Sequence, residues 1–191
     1  MLIYSSQFIN MPVVSLRTGN QVATIIDTIV NPFNLTIHAF RLSGRQLNNP
    51  HNAYLLPSDI REISRIGLII DDSQDIVSSD DVIRLKEILD LNFELINLPV
   101  IDKKRRKIGR VIDTTIISEA MIIHQLVIKR PLFKDFFDQE LIIQRSQIDK
   151  ISQHQVIIKN ELGELRELEK QAAIDNFINP FRNTETANQG K

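Results

Sequence analysis

The chain has 191 residues, 42% hydrophobic and 25% charged, with a formal net charge of −1. That balance excludes a wholly disordered polymer and fits one ordinary domain or two small ones. The absence of cysteine excludes disulfides, thiol catalysis and Cys-ligated zinc or iron–sulfur centres. Isoleucine, at 31 residues, dominates the apolar set, and stiff β-branched side chains favour strands. Residues 1–10 carry no Lys or Arg, and no apolar run reaches the ~18 residues of a membrane span. The sequence therefore predicts a soluble, cytoplasmic chain with no signal peptide and no integral membrane segment.

In chain order, the first predicted elements are strands. Asn31-Pro32-Phe33-Asn34 reads as a hairpin turn, with later strands at Tyr54-Leu55-Leu56 and Leu68-Ile69-Ile70. Ser78 to Asp90 then reads as a short packing helix. Ser78 with Asp81 fits a capping box, and Val82, Leu85, Ile88 and Leu89 form one apolar face. Strands follow at Lys107 to Ile117, Met121 to Lys129, Glu140 to Ile143 and Val156 to Ile158, with a helical turn from Ser146 to Ile151. A second helix is predicted from Glu161 to about Ala173, striped by Leu162, Leu165, Leu168 and Ala172, and Asn179-Pro180 stops it. Charge is uneven along this path: residues 1–90 carry −3, residues 91–158 carry +3 and the tail −1.

The sequence also repeats itself. Ile9-Asn10-Met11-Pro12-Val13-Val14 recurs as Ile96-Asn97-Leu98-Pro99-Val100-Ile101, an offset of 87. Ile25-Ile26-Asp27-Thr28 matches Val111-Ile112-Asp113-Thr114, and Leu35-Thr36-Ile37-His38 matches Met121-Ile122-Ile123-His124, both at 86. Ser58 to Ser64 matches Ser146 to Ser152 at 88. Four blocks in one order with so little drift mark a duplicated unit. Small units of short antiparallel strands protect their edges by closing on themselves, so each copy is expected to be a small barrel.

These residues resemble the PRC-barrel domains. The typical unit opens on Pro-Val-hydrophobic and passes a polar turn. It continues through a strand ending at an Asp, and closes on a Ser/Asp-hydrophobic turn before an apolar strand. In the first copy these are Pro12-Val13-Val14, Arg17-Thr18-Gly19, Ile25-Ile26-Asp27, Ser58-Asp59-Ile60 and Leu68-Ile69-Ile70. In the second they are Pro99-Val100-Ile101, Lys107-Ile108-Gly109-Arg110-Val111, Asp113, Ile142 to Ser146 and Val156-Ile157-Ile158. Ala23 stands where the second copy has Gly109, and the first copy has an insertion around residues 43–52. The resemblance implies a mainly all-β chain of two small antiparallel PRC-type β-barrels. It spans a first barrel at 1–77, a linking helix at 78–92 and a second barrel at 93–158. A C-terminal helix at 159–179 and a disordered tail at 180–191 complete the expected layout. Related barrels include the cytoplasmic domain of the photosynthetic reaction-centre H subunit and the C-terminal domain of the ribosome maturation factor. The family implied is one of docking and assembly modules without shared catalytic residues.

The candidate contact residues are few. Lys103, Lys104, Arg105, Arg106 and Lys107 form a cationic turn that either engages phosphates or is a solvated tip protecting a strand edge. Leu132, Phe133, Phe136 and Phe137 gather in one loop, either as a partner patch or as the cover of a barrel end. The Leu162 stripe either docks a partner or packs back on the barrels. His38 and His124 occupy matched strand positions without a third ligand near in sequence, which reads as structural. Asp27 and Asp113 also match and are expected to bond backbone at a strand bend. Asp71, Asp72, Asp75, Asp80 and Asp81 lack the Gly and terminal Glu of a calcium loop and read as caps on a solvated stretch. The expected function is non-enzymatic binding or scaffolding of protein partners, with no cofactor, metal or catalytic residue. An RNA- or ribosome-associated assembly factor is the alternative, and self-association stays open.

Overall fold

The structure, a computed structural model, describes residues 1–45, 47, 49–130 and 140–159. Two stretches of the chain take the same path. After a short strand β1 (Leu2–Tyr4) and a 3-10 turn at Ser5–Phe8, the first stretch runs through β2 (Pro12–Ser15), β3 (Gln21–Asn31), β4 (Thr36–Ser43) and β5 (Tyr54–Leu55). It continues with β6 (Ile60–Ser64), β7 (Gly67–Ile70) and β8 (Ile76–Val77), and then α1 (Ile83–Asp90). The second stretch has β9 (Pro99–Asp102), β10 (Lys107–Ile117), β11 (Ile122–Lys129), β12 (Glu140–Gln144), β13 (Ile148–Ile151) and β14 (Val156–Ile158). The described chain is thus mainly β, with one α-helix among the described residues.

Pairing repeats as faithfully as sequence. The order β6-β7-β2-β3-β4-β5 in the first half is matched by β13-β14-β9-β10-β11-β12 in the second. In each half one pair is parallel: β2 beside β7, with Val13 facing Leu68, and β9 beside β14, with Val100 facing Val156. Pro12 and Pro99 open their strands, where a missing N–H costs the ladder least. Gly67, at φ +141°, lets the returning strand approach β2, since a Cβ there would run into the Pro12 carbonyl. The bulge between Ile25 and Asp27 recurs between Val111 and Asp113, and that between Ile29 and Val30 recurs between Thr115 and Ile116. Left-handed residues pair up too: Asn10 with Asn97, and Leu35 with Met121.

The halves meet at their hairpin tips. Thr36 of β4 faces Ile122 of β11. The Ile37 N–H donates to the Met121 carbonyl at 2.8 Å and the Ile123 N–H to the Leu35 carbonyl at 2.9 Å. These reciprocal bonds make one mixed sheet of fourteen strands whose path is open at β6 and β13. One apolar core runs through both halves, from Val13, Ile25, Phe40 and Ile70 to Val100, Ile116, Ile123 and Ile158. Phe8 and Phe40 contact each other within it, ring centroids 5.1 Å apart.

Three elements differ from the sequence reading. First, β1 pairs with β10 in the second half, Ile3 facing Ile116, so the chain start crosses the boundary expected at residue 77. Second, α1 begins at Ile83, because Val82 is extended and the Ser78–Asp81 pair closes a separate turn, Ser78 N–H to Asp81 Oδ2 at 3.2 Å. Its apolar face packs on the first half, with Leu85 buried against Ala39 and Tyr54; the halves join directly at the hairpins and along β1 and β10. Third, Ser146 to Ile151 is a 3-10 turn (Arg145–Gln147) followed by β13. The helix expected at 159–179 lies, beyond Lys159, outside the described residues, as does the tail at 180–191. No helix among the described residues is long and apolar enough to cross a membrane.

Candidate functional site

The cationic turn connects β9 to β10, and its chemistry is partly internal. Asp102 is fully buried at the end of β9, and its carboxylate accepts from the Arg106 N–H at 2.8 Å and from Arg106 Nε at 2.7 Å. The Arg105 N–H closes the turn onto the Asp102 carbonyl, with Arg105 left-handed at φ +62°. Lys103 Nζ lies 3.5 Å from Asp149. Arg106 and Lys103 thus serve the fold, and Arg105 and Lys107 present charge to solvent. Lys104 is exposed beside them. Leu132, Phe133, Phe136 and Phe137 lie outside the described residues.

The acidic stretch after β7 is distributed over caps and ion pairs. Asp71 accepts from Arg61 at 2.7 Å and Asp72 from Arg17 at 2.8 Å. Asp72 and Asp75 cap the 3-10 turn between them, and Asp80 takes Asn52 and lies near Lys86. His38 and His124 sit half-buried on β4 and β11. Burial holds the His38 imidazole below its ordinary protonation range, and the nearby Arg84 charge adds to this. Among the described residues no three His, Asp or Glu side chains gather as metal ligands.

The matched aspartates differ most. Both occupy bulges, where the irregular ladder frees a main-chain N–H that the carboxylate takes: Thr28 for Asp27 and Thr114 for Asp113, at 2.8 and 2.7 Å. Asp113 also receives Ser5 Oγ at 2.5 Å, the Ser6 N–H at 3.1 Å and Ser6 Oγ at 2.5 Å. The segment just before the second repeat comes toward Asp27 in the same way, but Asn92 and Phe93 stand where Ser5 and Ser6 would. A cleft of about 330 Å³ opens there instead, bordered by Asp27, Thr28, Arg41, Asn92 and Glu94, with Ile88 and Leu89 of α1 as an apolar wall. Arg41 stands over the Tyr54 ring, 5.8 Å from its centroid, and its Nη1 is 3.9 Å from Asp27. Its Nε is buried with no acceptor in hydrogen-bond reach, a group whose satisfaction by a ligand is worth on the order of 1–3 kcal/mol.

Sequence reasoning placed both aspartates at a bend and expected backbone bonding, which the Thr28 and Thr114 bonds show. It missed the serine pair on Asp113, the burial of Asp102 and the role of Arg41. The 87-residue offset that aligns Ser5 and Ser6 with Asn92 and Phe93 carried the signal. No family model and no curated protein matches the chain.

Proposed function

We propose that the chain is a tandem PRC-barrel protein. Each half curls into a small barrel, and the pair acts without catalysis as a cytoplasmic scaffold or adaptor in protein–protein assembly. The strand order repeated in the two halves, with a parallel pair beside the opening strand each time, is the observation that supports this reading. Bulges at matched positions of β3 and β10 bend these long strands and increase their twist, as the curvature of a small barrel requires. Fold does not fix function, so the binding role leans on the surface. Phe33 stands 81% exposed at a hairpin tip and Ile83 76% exposed on α1, and the Phe133 loop adds apolar side chains in the sequence.

The alternative, an RNA- or ribosome-associated assembly factor, is weakened by the cationic turn, where Arg106 and Lys103 are already engaged by carboxylates. Purification of the tagged full chain from its native cells at low and high salt separates the readings. The adaptor reading expects a defined protein partner that survives high salt and is lost when Phe133 and Phe136 are changed to Ala in a chain that still folds. Ribosomal particles that dissociate as salt rises would favour the alternative. Absence of any stoichiometric partner under both conditions would overturn the proposal.

A further inference from the structure

Among the described residues, the second half has a docked strand that the first half lacks. In the second half β1 lies along the edge of β10, Leu2 facing Ile117, Ile3 facing Ile116 and Tyr4 facing Thr115. Ser5 and Ser6 then turn onto Asp113. Carried back by the 86-residue offset, the same edge in the first half is Ile29–Asn31 of β3, with Asp27 at its foot. Among the described residues that edge pairs with no strand. The segment that would correspond to β1 is instead wound into the end of α1 and the residue after it. The cleft beside Asp27 runs along this open edge.

The chemistry of the cleft specifies an occupant. Asp27 keeps acceptor capacity, since its carboxylate takes only the Thr28 N–H within hydrogen-bond distance and Arg41 stands 3.9 Å away. Glu94 adds a second carboxylate to the rim. Arg41 Nε requires an acceptor oxygen. Ile88 and Leu89 supply an apolar wall. The volume, about 330 Å³, is at the lower end of the range for bound ligands. A donor and a carboxylate side by side at the foot of an unpaired strand edge, with an apolar wall along it, suit an extended peptide that adds to a sheet edge.

We infer that this cleft docks an extended segment of a partner protein, in which two or three apolar residues pair along Ile29–Asn31 and a following Ser or Thr pair donates to Asp27. A carbonyl or hydroxyl oxygen of the segment accepts from Arg41. The inference deepens the adaptor reading and rests on it, because it names where and by what kind of sequence a partner is held.

The protein's own first strand supplies the probe: a synthetic capped peptide with the sequence of residues 2–8, titrated into the full chain by calorimetry and followed by backbone amide shifts. The expected result is saturable binding, with shifts at Asp27, Thr28, Ile29 and Asn92. Affinity should fall at least tenfold for Asp27→Asn, and likewise for a peptide whose two serines are alanine. The second arm leaves the protein unchanged, so a folding defect in the variant does not decide the outcome. No binding at about 1 mM peptide, a weak limit of about −4 kcal/mol, would overturn the inference. So would equal binding by Asp27→Asn, or shifts confined to Asp113 and Thr115, which would mean displacement of the native β1. A failure here leaves the co-purification result intact and removes only the cleft.

Discussion

At Asp102 a carboxylate without solvent contact organises a turn built almost wholly of cations. Its bonds to Arg106 are charge-assisted, a class worth about 1.5–3 kcal/mol each way of counting. Asp102→Ala should therefore destabilise the fold by about 2–3 kcal/mol in a denaturant titration, whereas Lys107→Ser, at an exposed position, should leave the midpoint within about 0.5 kcal/mol. His38 gives a pH signature. Its imidazole is held below the ordinary value of 6.5 by burial and then by Arg84, so the unfolded chain binds the proton more readily than the folded one. Stability from this group is complete above that value and is lost as pH falls through the depressed folded one. His38→Gln should flatten the decline in melting temperature on the acid side of pH 6.5, and an unchanged profile would dismiss the group.

At the scale of elements, α1 and the hairpin tips hold the parts together. Leu85 is wholly buried against Ala39 and Tyr54, and Leu85→Ala should cost about 2–5 kcal/mol of unfolding free energy. Arg145 spans the halves: it donates to the Asn34 carbonyl at 2.7 Å and to the Leu35 and Ile123 carbonyls at 3.2 and 3.4 Å. Arg145→Gln should loosen the junction by about 1–3 kcal/mol and speed amide exchange at Ile37 and Ile123. The sequence made some of these elements legible and others not. The bounds of β10 and β14 follow from dense β-branched runs with a polar turn on either side, a local signal. The start of α1 differs from the sequence reading because Ser78 and Asp81 satisfy a capping pattern locally, but in the structure they close a turn of their own after β8 and leave Val82 extended before the helix. Arg145 gave no signal, since its partners are main-chain carbonyls on the far side of the junction and any residue type supplies those. Asp113 was half legible: the bend lies in the repeat, but the serines that fill it come from the chain start, 107 and 108 residues away.

The whole molecule is organised about an approximate twofold relation through Thr36 and Ile122. The core crosses that relation without a break, and β1 reaches from one half into the other. The two halves should consequently unfold as one cooperative unit. Tyr4 and Tyr54 are the only tyrosines and there is no tryptophan, so Tyr4→Phe and Tyr54→Phe give chains whose fluorescence reports the first half, through Tyr54, and the second half, through Tyr4, respectively. Their denaturation midpoints should coincide after correction for each substitution, and separated midpoints would show two independent domains. The repeated architecture was readable from Pro12 and Pro99, Asp27 and Asp113. The crossing of β1 was not, because its three residues leave no periodicity to read.

The unequal treatment of Asp27 and Asp113 has a consequence for symmetry. A homodimer of identical subunits is bound to present any feature twice, so a recess useful on one side would gape on the other. Joining both copies in a single polypeptide lifts that obligation: position 5 can become serine while position 92 becomes asparagine. One notch is plugged from within by Ser5 and Ser6, and its twin borders the cleft into which the inferred peptide would fit. If the inferred peptide binds, covalent geometry sets the stoichiometry at one visitor per chain, with no need for a second molecule to exclude the other seat.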